Sequence, residues 1–247
     1  MTGEVRVIAL RGIPELEEDD ELASLLVDAA ARAGGLEAGD VVVVAQKAVS
    51  KVEGRVVDLG QVVPSERARE LAGDHDPRRT EVILGEASEV VRARPPLLIT
   101  ETRHGFVCAS AGVDSSNAKG PGTVVLLPVD PDASARRLRE AIRAATGIEV
   151  GVIVSDSFGR AWRQGTTDVA LGVSGLAPLR DLRGDQDSTG YVFHATQIAL
   201  ADEVAGAAEL VMGKTEGVPA AIVRGVHAPG DGSGRDLLMP RERDLFR

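Results

Sequence analysis

The stretch Asp40–Gln46, with Val41-Val42-Val43-Val44-Ala45 at its centre, constrains the fold more than any other part of the chain. It is β-branched without alternation, the pattern of a strand buried on both faces. Glu149–Ser155 reads the same way and ends at Asp156. Further strands are predicted over Glu4–Leu10, Val56–Leu59, Leu97–Thr102, Thr123–Leu127 and Pro219–Val223. Apolar spacing predicts helices over Asp20–Ala33, Ser65–Ala72 (Ser65 as N-cap), Thr80–Ala93, Pro131–Ala145 and His194–Met212. Several strand–strand neighbours among these elements favour an α+β fold over a doubly wound sheet. The Pro-Gly-Asp-Gly-Ser-Gly tail from His227 reads as a linker or extension, giving a unit over 1–226 and an extension over 227–247.

Aromatic residues make up only 2% of the 247 residues, so Val, Leu, Ile and Ala must build the core. Stacking platforms for bases are correspondingly scarce. The net charge of −10 excludes a basic field for nucleic acid. It still permits an anionic small molecule, because a local Lys/Arg cluster with a metal reverses the sign of one cleft. The single cysteine, Cys108, excludes an intrachain disulfide and fits a reducing cytosol; its apolar neighbours predict a buried, inert thiol. No apolar run reaches the ~20 residues of a membrane span, and the N-terminus has no signal-peptide core, so a cytoplasmic location is expected.

Four polar clusters stand beside these elements. In Ala111-Gly112-Val113-Asp114-Ser115-Ser116-Asn117, Asp114 and Asn117 offer hard oxygen ligands for Mg²⁺ or Mn²⁺, or else an Asx-turn that serves its own backbone. In Ser155-Asp156-Ser157-Phe158-Gly159-Arg160-Ala161-Trp162-Arg163, a carboxylate and a hydroxyl follow a buried strand, where open sheets place ligand groups. Arg160 and Arg163 can neutralise phosphate there. The structural alternative is a strand-ending turn with surface arginines and Trp162 as a core plug. Val49-Ser50-Lys51-Val52-Glu53-Gly54-Arg55 offers Lys51 to a phosphate, or is a solvated turn. Met212-Gly213-Lys214-Thr215-Glu216-Gly217 imitates a Walker A loop, but Ala208 stands where the first glycine belongs and a helix precedes it, so it reads as a helix C-cap with Gly213 left-handed.

No His/Cys metal spacing, G-x-S-x-G elbow or complete G-x-G-x-x-G is present, and His75, His104, His194 and His227 are scattered. These absences argue against a hydrolase triad.

Taken together, those clusters with Gly12-Ile13-Pro14-Glu15 and Ala208-Glu209-Leu210-Val211-Met212-Gly213-Lys214 resemble the coenzyme F420-0:L-glutamate ligase family, the F420 gamma-glutamyl ligases. The likeness runs nearly the length of the chain, in order. It implies a two-part mixed α/β ligase fold, an intertwined homodimer, GTP as co-substrate, and two divalent cations (Mg²⁺ or Mn²⁺), with K⁺ a further candidate. By position, the resemblance gives Asp114, Asp156, Ser157 and Glu216 to metal. Ile13, Pro14, Glu15, Leu16, Gln46, Lys51, Asn117, Gly213, Lys214 and Thr215 go to the nucleotide. Lys51, Arg160 and Arg163 would add charge neutralisation to the catalytic Asp114 and Asp156.

The chain departs from the family pattern at Ser157, often Thr, and at Ala161, often Pro; neither change removes a reacting group. The bifunctional actinobacterial form carries a nitroreductase-like flavin domain beyond this unit, and here the chain ends at Asp244-Leu245-Phe246-Arg247. The implied reaction adds L-glutamate to F420-0 or its dehydro form through an acyl phosphate. The alternatives are a nucleotide-binding regulatory module without turnover, and a metal-dependent phosphohydrolase that needs neither glutamate nor deazaflavin.

Overall fold

In the computed structural model, which describes residues 3–246, the Val41–Ala45 run is the middle strand of a five-stranded sheet. Met1, Thr2 and Arg247, the outer ends of the 1–226 unit and the 227–247 extension, lie outside the described residues. The first part of the chain forms β1 (Arg6–Ala9), α1 (Leu22–Arg32), β2 (Val41–Ala45), α2 (Gln46–Val52), β3 (Val56–Asp58), α3 (Glu66–Ala72) and α4 (Pro77–Glu86). Next come β4 (Ala87–Arg94), β5 (Leu97–Thr102), β6 (Val107–Ala109), β7 (Thr123–Val125) and α5 (Pro131–Thr146). The last part holds β8 (Gly151–Arg160), β9 (Arg163–Ser174), β10 (Arg180–Asp181), β11 (Gln197–Ile198), α6 (Leu200–Met212) and β12 (Ala220–Arg224). The content is mixed α and β, and no described helix is long and apolar enough to cross a membrane.

The main sheet has the order β1-β12-β2-β8-β9, with β2 and β8 parallel and every other pair antiparallel. Both faces are covered, which is why β2 lacks alternation. Val42, Val44, Val152 and Val154 pack with Leu22, Leu26, Leu138 and Ile142 of α1 and α5. Val41, Val43 and Ile153 meet the small face of α6, formed by Ala201, Val204, Ala205 and Ala208. Each fully buried valine contributes about 1.5–3 kcal/mol. A separate cluster of Leu59, Ile83, Leu98, Val113, Val124 and Leu126 lies under the β3–β7 and β4–β5–β6 sheets.

Three sequence expectations are corrected. The helix expected over Thr80–Ala93 ends at Glu86, and Ala87–Arg94 turns into β4 because residues such as Glu89, Val90 and Arg92 pair against β5. The solvated turn given as the alternative reading of Val49–Arg55 is in its first half the end of a helix, α2, whose Ala48 and Val49 dock into the core. The strand expected to end at Asp156 runs on to Arg160 and returns as β9, an unpredicted strand. Beyond Ser155 this hairpin has no β2 neighbour and continues as a two-stranded arm. Trp162, at its tip, is 82% exposed and packs edge-on against Phe246, so it plugs no core.

As an edge strand, β9 presents backbone donors that need partners. Four acids from other segments take them: Glu209 accepts from Asp168 N–H (3.0 Å), Asp202 from Ala170 (2.9 Å), Asp132 from Val173 (2.9 Å) and Asp231 from Gly175 (2.8 Å). Between Val154↔Gly172 and Ser155↔Ala170 the register slips by one residue. Leu171 is the extra residue, anchored against Phe106 and Leu127. Gly234 of the tail lies so close over it that a Cβ would stand 2.1 Å from the Leu171 carbonyl oxygen. Asp132 also accepts from Gly234 N–H (2.7 Å) and the Ser233 hydroxyl (2.8 Å), joining α5, β9 and the tail through one buried carboxylate.

Replacing Asp132 strands several buried donors. Asp132→Ala is expected to lower stability by about 3 kcal/mol, and Asp132→Asn, which keeps an acceptor, by less. Urea denaturation measures both; equal losses would mean that packing rather than hydrogen bonding holds this junction.

Candidate active site

Because β2 and β8 are parallel, the residues that follow their paired segments emerge side by side at one sheet edge. Ala45 pairs with Ser155, so Gln46 and Lys47 leave the sheet beside Asp156. A cleft of about 680 Å³ opens there. Its walls come from Ile13–Leu16, the start of α2, the Ser110–Asn117 loop, the β8–β9 hairpin and the Met212–Pro219 turn. Ile13, Pro14, Glu15, Leu16, Gln46, Lys51, Asp114, Asn117, Asp156, Ser157, Gly213, Lys214 and Thr215 all line it. Arg160, Arg163 and Glu216 do not. The two arginines sit exposed on the arm, where Arg160 reaches the Gln164 carbonyl at 3.5 Å. Glu216 folds back on Thr215, accepting from its N–H (2.9 Å) and hydroxyl (3.1 Å).

Asp114 is held by its backbone, which exchanges hydrogen bonds with Val125 at 3.0 and 2.8 Å. Its Oδ1 accepts from Ser116 N–H (2.8 Å), so the Asx-turn does form. The other oxygen faces the cleft and pairs with the Lys47 ammonium at 2.6 Å. Burial would raise this carboxyl, but Lys47 and the Ser116 donors outweigh it and hold it below the usual range. The Asx-turn reading of the loop is thus present, with one oxygen closing the turn and the other paired with Lys47.

Asp156 behaves in the opposite way. Burial pushes its carboxyl up to about 7; the nearby Asp168 charge adds to the rise, while the Ser157 backbone N–H, Lys47 and Lys214 oppose it. The same burial, with the Asp156 charge, lifts the Cys108 thiol to about 12, leaving it the inert group its neighbours predicted. Gln46 is 1% exposed; its carbonyl accepts from Ser50 (2.9 Å) while its Nε2 has no partner. Lys51, 7% exposed, forms an ion pair with Glu15. Gly213 caps α6 with φ +61°, but its ψ of −166° lies outside the left-handed helical well that was expected.

Two residues of the site carried no legible signal. Lys47, between the buried valine run and Lys51, falls outside the four polar clusters. Asp168, on the unpredicted β9, is 6% exposed and accepts from both Ser155 and Ser157. An alternation such as Thr166-Thr167-Asp168-Val169-Ala170 marks a strand only when its partner is known.

Every acidic or hydroxyl donor here is a hard oxygen, the set that suits Mg²⁺ or Mn²⁺. Among the described residues no three acidic, His or Cys side chains converge on one point. Such an ion would complete its shell with water and ligand phosphates, as Mg²⁺ commonly does.

The sign of the Asp156 shift gives a test. Unfolded, the carboxyl ionises near 3.9; folded, near 7, so folding binds a proton between these values and stability falls as pH rises through that window. With chelator present, Asp156→Asn is expected to melt higher than wild type, by a margin that widens from pH 5 to pH 8. A constant margin across that range would mean an ordinary carboxyl.

Residues 12–225 match the family described as F420-0:Gamma-glutamyl ligase. The coenzyme F420:L-glutamate ligase of Methanothermobacter thermautotrophicus is 44% identical over 98% of this chain and 99% of its own length. Enzymes of the same name from Methanocaldococcus jannaschii and Methanopyrus kandleri are each 47% identical, over 86% and 92% of this chain and the same shares of their own. Asp114 of the Ser110–Asn117 loop and Asp156 of β8 line one cleft inside the matched region, and the chain belongs to the F420-0:Gamma-glutamyl ligase family.

Proposed function

We propose that this chain is a GTP- and divalent-metal-dependent ligase that adds L-glutamate to coenzyme F420-0, or its dehydro form, in coenzyme F420 biosynthesis. The names of its relatives supply the reaction. One observation on the molecule carries the reading: Asp114 and Asp156, distant in sequence, line a single cleft that also holds Lys47, Lys51 and Lys214. A carboxylate pair set among ammonium groups suits a triphosphate bound with its counter-ions better than it suits a neutral ligand.

A carboxylate and an amine do not condense usefully in water, because the carboxylate is a poor electrophile. The terminal carboxylate of the deazaflavin precursor would attack the γ-phosphorus of GTP, giving an acyl phosphate and GDP. The glutamate amine would then attack the acyl carbon, and collapse of the tetrahedral intermediate would expel phosphate and leave an amide. Asp114, Asp156 and Ser157 would hold the divalent cations, which when bound offset charge on the phosphoryl oxygens. Lys47, paired with Asp114, and Lys51, kept in place by Glu15, line the same cleft and would neutralise transferred phosphate. Ile13, Pro14, Leu16, Val113 and Val218 give the cleft an apolar wall that limits hydrolysis of the acyl phosphate. Gln46, with its free buried amide, is an unfilled donor on the nucleotide side.

The same proposal includes a homodimer in the cytoplasm, with 1–226 as the ligase unit. The exposed Trp162–Phe246 pair, in a chain with few aromatics, supports a further protein surface at the arm.

Incubation with GTP, Mg²⁺ or Mn²⁺, L-glutamate and the deazaflavin precursor should yield a product heavier by one glutamate residue. Asp156→Ala is expected to cut glutamate-dependent GDP release by at least about a hundredfold while circular dichroism stays unchanged. Near wild-type release by that folded variant would overturn the assignment; GDP release without glutamate or precursor would point to hydrolysis instead.

A further inference from the structure

Ser157 lies on β8 directly opposite Asp168 on β9, so both side chains leave the same face of the hairpin. Asp168 is buried, and its two oxygens are both engaged: Oδ2 accepts from the Ser155 hydroxyl at 2.9 Å, and Oδ1 accepts from the Ser157 hydroxyl. Its own N–H is fixed by Glu209 at 3.0 Å. A serine hydroxyl has one proton and two lone pairs. With the proton directed at Asp168, only lone pairs remain to face the cleft.

A positive group already uses them. The Lys214 ammonium, which can only donate, contacts Ser157 Oγ and stands 3.9 Å from both Asp168 and Glu209. The Ser157 oxygen is thus an acceptor toward the cleft, held so by a carboxylate behind it. A hydroxyl free to rotate would turn its proton toward that space part of the time and repel a cation.

We infer that Asp168 is a positioning residue, which fixes the Ser157 proton away from the cleft and so makes this hydroxyl a cation ligand. The inference rests on the proposed metal reading of Ser157 and adds to it a residue outside the cation's own ligand set. Orienting partners of this kind typically change metal affinity by 10–100-fold.

Mn²⁺ binding to the full chain, followed by electron paramagnetic resonance without nucleotide or turnover, tests it. Ser157→Ala and Asp168→Ala should each weaken Mn²⁺ by about tenfold, and the double variant should bind no worse than Ser157→Ala alone. Asp168→Asn, whose amide oxygen still accepts the Ser157 proton, should lose less than Asp168→Ala. Wild-type affinity in Asp168→Ala, or a second tenfold loss when Asp168→Ala is added to Ser157→Ala, overturns the inference. So does wild-type affinity in Ser157→Ala, or no Mn²⁺ binding by the wild-type chain. None of these outcomes depends on turnover, so the ligase reading stands or falls separately on Asp156→Ala.

Discussion

The parallel pairing of β2 with β8 is the contact on which the rest of the molecule depends. It is the one parallel pair among the described strands of the main sheet. Two adjacent parallel strands send their continuations out of the same edge, and open sheets bind ligands there. Here the continuations are α2, carrying Gln46, Lys47 and Lys51, and the hairpin arm, carrying Asp156 and Ser157. The buried valines that hold the pair together are therefore also what keeps an ammonium and a carboxylate within reach of each other.

Charge within the cleft is arranged in opposition. Asp114 has Lys47 against it and is held in its ionised form, whereas Asp156 is too buried to ionise easily. A buried carboxylate without a close salt-bridge partner lowers the stability of the fold, and such a cost is tolerated where binding uses the group. Elsewhere acids have a different task. Glu209, Asp202, Asp132 and Asp231 occupy the exposed backbone donors of β9, so part of the strongly negative composition serves to close a sheet edge against pairing with other chains.

The elements that the sequence made legible were those whose patterns answer to burial. Val41–Ala45 and Ala220–Arg224 are covered on both sides, and α1, α5 and α6 each present one apolar face; all were found within a residue or two except the start of α6, which begins at Leu200 rather than His194 and leaves β11 in the stretch between. The misses share a cause. The arm, Asp156–Arg160 with Arg163–Thr167, is polar apart from Phe158, so little in its composition separates a ladder from a loop. β4 was mistaken for helix because its pairing with β5, rather than its own propensity, decides its state. In the site, Asp114 and Asp156 stood out because each is a carboxylate among small residues near a strand. Asp168 could not stand out, since its partners lie across a hairpin turn that was not itself visible.

The extra residue at Leu171 sets the phase of everything beyond it. Continue the Val154↔Gly172 register without that slip, and Asp168 would sit across from Phe158, on the side away from both serines. One surplus residue, clamped under the tail by Gly234, thereby chooses which way a carboxylate looks. Length changes at the arm's tip that add or remove residues in matched pairs would leave that choice intact. Pairing Leu171 into the ladder would turn the polar group over and set the hydrocarbon of Val169 opposite Ser157, whereas loss of Leu171 itself would leave Asp168 where it stands.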